Sequence, residues 1–181
     1  SSAASDVYKR QPLGKQQQFM KIAVTGANGH FGKILVQFLR EKNFEVKPSD
    51  LFPGRPEEGA VNCDVRDLGH LVSVFQGCDA VVHLAAFPGP WTQPDAKVYQ
   101  DNTVGSYNVL LACELLGIKK ICQASSINAI GGVYSRLPTY DYFPVDEEHP
   151  TYSEDPYSLS KWILEIQGDC FARRREDVSV S

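Results

Sequence analysis

From Met20 onward, short apolar runs alternate with longer stretches whose apolar residues recur at helical spacing. MKIAVTG (residues 20–26) is an apolar run closed by glycine, and HFGKILVQFLREKNF (30–44) follows with the helical period. Two strand-like runs come next, FEVKPSD (44–50) and GAVNCD (59–64), then a predicted helix over DLGHLVSVFQGC (67–78). AVVHLAA (80–86) predicts a buried strand, and a long helix is expected over much of 95–118, stopping at Gly117. KKICQASS (119–126) predicts a further strand, and after a loop the stretch EDPYSLSKW (154–162) opens a last helix. DVSVS (177–181) alternates like the start of another strand. Near-continuous apolar strands separated by helices predict an α/β doubly wound parallel sheet with helices on both faces.

Composition narrows the picture only modestly. The 181 residues are 43% hydrophobic and 22% charged, which suits one soluble domain with a substantial core. A net charge of -4 argues against nucleic acid or an anionic membrane as partner. No apolar run approaches the ~20 residues of a membrane span, so no membrane partner is expected. Cys63, Cys78, Cys113, Cys122 and Cys170 lack CxxC or His-paired spacing, so no metal site is expected. Buried, reduced thiols in a cytoplasmic protein are the expectation. Residues 1–19 are polar and aperiodic, and DVYKRQ (6–11) resembles a translated transposase end sequence used in library preparation. A non-native or disordered leader is expected there, and DVSVS reads as an element cut midway.

The chemistry begins at VTGANGHFG, where Gly26, Gly29 and Gly32 form a GxxGxxG between a predicted strand and a predicted helix. Glycine lets backbone N–H groups approach a pyrophosphate, with the helix dipole behind them, and His30 and Phe31 fall within the same turn. Asp50 ends the next strand, at the place of a ribose-binding carboxylate, which favours NAD over a 2′-phosphorylated cofactor. Arg55, close by, softens that preference. Tyr157 and Lys161 stand four residues apart on the last helix. Free tyrosine, with a pKa of ~10, is a poor base near neutral pH, and a neighbouring ammonium favours its phenolate form. Ser125 and Ser126 lie at the carboxyl end of their strand, where ligands bind in such sheets. His83, inside an apolar strand, reads as a satisfied core histidine. Asp101, Glu147 and Glu148 read as solvated.

TGANGHFG, Asp50, CDVRD, VVHLAA, DNTVGSYNVLLAC, ASSINAIG and YSLSK, in this order, resemble the extended short-chain dehydrogenase/reductase family, the NAD-dependent epimerases and dehydratases. The resemblance runs from Met20 to about Arg173 and implies a Rossmann-type fold. It implies Tyr157 as acid/base, Lys161 as its pKa-lowering and ribose-binding partner, and Ser126, not Ser125, as the substrate-orienting hydroxyl. It further implies adenine contacts from Asp64 and Val65, cofactor lining by Leu84, Ala85 and Ala86, and support of the site by Asn102. The implied cofactor is NAD and the implied substrate a sugar or sugar nucleotide, with a homodimer expected at full length. Residues 20–181 would be the NAD-binding domain, lacking the substrate-binding part and therefore inactive alone. INAIGG departs from the family's aromatic xxVYG, so an aromatic residue expected near the nicotinamide is missing. That loop resembles, loosely, the uronate dehydrogenases, which keeps a uronate-type dehydrogenase as an alternative. The tyrosine- and acid-rich insertion at 132–156 is expected to wall the substrate pocket. A non-catalytic NAD(P)-binding sensor or scaffold is the reading from another class.

Overall fold

The computed structural model describes residues 19–54 and 59–181, so the leader, apart from Phe19, and Arg55 lie outside the described residues. Six strands form one sheet: β1 (Lys21–Thr25), β2 (Glu45–Asp50), β3 (Val61–Asn62), β4 (Ala80–His83), β5 (Lys120–Gln123) and β6 (Ser179–Val180). Their spatial order is β3-β2-β1-β4-β5-β6 and every pairing is parallel. This is the doubly wound order, with the sequence reversing direction between β1 and β4. The helices are α1 (His30–Glu41), α2 (Leu68–Phe75), α3 (Asp95–Leu116) and α4 (Pro156–Ala172).

Strand β1 reads as an unbroken apolar run because both faces of the sheet are covered. Ile22 and Val24 pack with Val36 and Leu39 of α1, whereas Ala23 faces the core of Leu71, Phe75, Val81, Leu110 and Ile121. Pro48 sits inside β2, where it pairs with Val24 of β1; pairing to β3 begins only at Ser49, so the missing N–H breaks no ladder there.

Local chemistry sets the ends of the elements. The Asp67 carboxylate accepts the Gly69 and His70 N–H groups and starts α2. Gly117, at φ 69°, closes α3 in the left-handed region. The expected strand over 59–64 shortens to two exposed residues at the sheet edge. Three thiols, Cys63, Cys78 and Cys113, are buried as expected, but Cys122 and Cys170 are exposed. Cys122 alternates with buried Ile121 and Gln123 on β5 and points to the opposite face.

Candidate active site

Gly26 turns the chain away from β1 with φ 68°, and a Cβ there would lie 2.6 Å from the Ala85 nitrogen. Gly29 donates back to the Gly26 carbonyl at 3.1 Å and is the residue before α1. No side chain caps that helix, which leaves its first N–H groups for an anion. A Cβ on Gly32 would fall on the Gly26 carbonyl oxygen, so glycine there seats α1 against the turn. His30 and Phe31 are exposed at the start of the helix.

The Asp50 carboxylate is clamped at the rim of this turn, accepting the Asn28 N–H at 3.0 Å and the Phe52 N–H at 3.0 Å. Gly26, Asp50, Asp64, Val65, Ala85, Ala86 and Asn102 line one cleft of about 130 Å³. Leu84 does not line it: its backbone lies against the Gly26 turn, and its side chain packs into the α1-side core. His83 is buried, with Nδ1 at 2.8 Å from the Thr25 hydroxyl, and burial pushes its pKa down to about 3. It is a satisfied core histidine.

Asp101 is not the solvated residue expected from sequence. Its side chain is 15% exposed and pairs with Arg66 at 3.0 Å and Lys97 at 2.7 Å. Arg66 also grips Asp64, and that hydrogen-bonded guanidinium holds the Asp64 carboxyl below its usual range. An ionic network therefore ties α3 to the loop after β3 at one end of the cleft. Glu147 and Glu148 are exposed.

Asn102 connects three segments. Its Oδ1 accepts the Phe87 N–H at 2.8 Å, while Nδ2 donates to the Phe87 carbonyl at 3.2 Å and to the Ser160 hydroxyl at 3.0 Å. Ser160 in turn donates to the Tyr157 carbonyl at 2.7 Å. Sequence reading missed Ser160, although a serine inside YSLSK at a core-facing position was the available signal.

Helix α4 opens with the Asp155 carboxylate accepting the Ser158 N–H, and Pro156 fits the first turn. Tyr157 and Lys161 are 8% and 5% exposed on its inward face, with Lys161 Nζ 5.9 Å from the Tyr157 ring centre. Lys161 donates to the Ala124 carbonyl at the end of β5, and burial lowers its pKa to about 8. Ser126 follows two residues later, its hydroxyl accepting the Asn128 N–H at 3.2 Å to open a 3-10 turn from Ile127 to Ile130. The neighbouring Ser125 hydroxyl is engaged by Glu165.

An aromatic residue from the insertion stands beside Tyr157. Tyr134, in the insertion, packs edge-on against Tyr157 with ring centres 5.9 Å apart, and Trp91 packs on Tyr134 at 4.7 Å. Farther along, the insertion folds around buried His149, whose Nε2 accepts the Asp141 N–H at 3.0 Å amid Tyr140, Tyr142 and Tyr152.

Sheet order, glycine turn and cleft define a dinucleotide-binding Rossmann domain. The profile of the NAD dependent epimerase/dehydratase family matches residues 22–177, and the chain belongs to that family, the extended short-chain dehydrogenases/reductases. It is 35% identical over 163 residues to L-arabinose 1-dehydrogenase (NAD(P)(+)) of Haloferax volcanii, covering 85% of this chain and 62% of that protein. Uronate dehydrogenase of Pseudomonas putida is 30% identical over 148 residues, covering 79% of this chain and 52% of the relative. A short-chain dehydrogenase/reductase superfamily protein from Agrobacterium tumefaciens, solved with bound NAD, superposes with a TM-score of 0.73 at 27% identity. That match covers 88% of this chain and 47% of the other. The chain thus spans between 47% and 62% of the length of these three proteins. Among the described residues no helix is long and apolar enough to cross a membrane.

Proposed function

We propose that this chain is the dinucleotide-binding part of an NAD-dependent oxidoreductase acting on a carbinol of a sugar or sugar nucleotide. The observation that carries it is the buried Tyr157–Lys161 pair, with Lys161 tied to the end of the strand that presents Ser126. The turn suits NAD: glycine at 26 and 32 lets it close tightly against the Ala85 backbone and α1, and Asp50 offers a carboxylate where a 2′-phosphate would be repelled. The turn and the start of α1 would hold the phosphates, Asp50 the adenosine ribose, and Lys161 the nicotinamide ribose. When bound, NAD supplies the hydride acceptor.

The protein's own residues manage the proton. Ser126 orients the substrate oxygen, and the Tyr157 side-chain oxygen accepts the proton of the substrate hydroxyl. The Lys161 ammonium stands 5.9 Å from the Tyr157 ring centre, a positive charge next to that step. Asn102, through Ser160, holds the first turn of α4 in place. Tyr134 shields one side of the Tyr157 ring from water.

In the intact protein, Tyr157→Phe is expected to lower turnover by about 100-fold or more, with NAD binding little changed. Near-normal turnover would remove Tyr157 from this role. The Ile130–Gly131 end of the serine segment and the uronate dehydrogenase relative favour a second reading, oxidation of a uronate. Assaying NAD reduction against aldoses, uronates and sugar nucleotides separates the two, and NAD that copurifies with the protein points to an epimerase.

A further inference from the structure

Glu165 lies one turn beyond Lys161 on α4, and its carboxylate accepts a hydrogen bond from the Ser125 hydroxyl. Lys161 Nζ donates to the carbonyl of the preceding residue, Ala124. Two consecutive residues at the carboxyl end of β5 are therefore tied to two residues stacked on one face of α4. The residue that follows is Ser126. We propose that Ser125 and Glu165 are a positioning pair, whose bond sets the end of β5 against α4 so that Ser126, Tyr157 and the Lys161 ammonium share one register. This rests on reading Tyr157 and Lys161 as the proton-transfer pair.

The electrostatics agree with the geometry. Among the described residues three titratable groups face Lys161: Tyr157 and Glu165 from its own helix and His83 from β4. His83 is buried and neutral, so Glu165 is the anion that acts on Lys161. Burial drives the lysine down to about 8, and Glu165 opposes that fall. A free surface glutamate would spread over many rotamers and be well screened; the Ser125 bond restricts it. Neither residue needs to touch substrate or cofactor.

Competitive acetylation over the neutral and alkaline range, with mass spectrometry of the Lys161 peptide, reads the lysine's titration midpoint without any turnover. The unsubstituted chain should titrate near 8. Glu165→Gln should bring the midpoint down by about half a pH unit, the size expected of an exposed charge acting on a buried one. Ser125→Ala should move it the same way by less, since the carboxylate stays but loses its anchor. High salt should lower the midpoint of the unsubstituted chain and leave Glu165→Gln unmoved. Circular dichroism checks that each variant is folded; should Glu165→Gln fail, Ser125→Ala and the salt response decide. Equal midpoints in the unsubstituted chain and the variants, or a salt-insensitive midpoint, overturn the proposal. A Tyr157→Phe enzyme with normal turnover would instead overturn the catalytic reading and leave these midpoints as they are.

Discussion

Lys161 keeps its charge in a place that disfavours it. Its pKa falls from 10.5 to about 8 because the ammonium is buried. A gap of that size corresponds to about 3 kcal/mol of strain on the folded state at neutral pH. The unfolded chain binds the proton more tightly, so the penalty is full below 8 and fades as pH rises toward 10.5. Lys161→Met keeps the aliphatic stem and removes the charge, at the loss of one hydrogen bond to Ala124, about 1 kcal/mol. The variant is expected to be more stable by about 2 kcal/mol at pH 7, with the advantage shrinking on alkaline titration. Urea unfolding at both pH values measures this, and a less stable variant at neutral pH would contradict it. In the intact protein the same change should abolish turnover, so the site trades stability for function.

At the scale of elements, close approach between α1 and the turn before it depends on one missing methyl group. Gly32→Ala would push that helix off the Gly26 carbonyl, at about 1–3 kcal/mol of overpacking. A lowered melting temperature together with weakened NAD binding is the expected outcome; unchanged binding would mean that the turn does not hold the phosphates. Asn102→Ala should cost a similar amount, about 1–3 kcal/mol, by stranding the Phe87 backbone and the Ser160 hydroxyl, and thermal unfolding reads it directly. The two cases also differ in how visible they were before the structure. Glycines at a strand-to-helix turn announce themselves locally, as do the apolar periods of β1, α1, β4 and α3. Asn102 meets Ser160 across 58 residues, and Arg66 meets Asp101 across 35. Periodicity says which face of an element is buried but not which polar group waits there. For the same reason Tyr134 could not be placed beside Tyr157, nor Cys122 on an open face, until the sheet was assembled.

For the molecule as a whole, acid sensitivity follows from His83. Its folded pKa of about 3 lies below the ordinary 6.5, so the unfolded state takes up the extra proton first. The stability it contributes is complete above 6.5 and drains away as pH falls toward 3. Asp64 adds a loss of its own only below its ordinary 3.8. Urea midpoints should therefore decline between pH 6.5 and 4, and His83→Gln should flatten that decline; an equally steep profile in the variant would assign it to other groups. The strand order has a consequence for how the protein is made. Among the six described strands β1 is translated before the others and ends up next to the middle of their sheet, with β2 and β3 added on one flank and β4, β5 and β6 on the other. The nascent chain thus builds outward from its centre, in two successive directions. The glycine turn and Asp50 are in place after the first direction, before a single residue of α4 has been translated. On the proposed reading, a cofactor in the cell would meet the glycine turn and Asp50 during synthesis, while Tyr157 and Lys161 arrive only with the second flank.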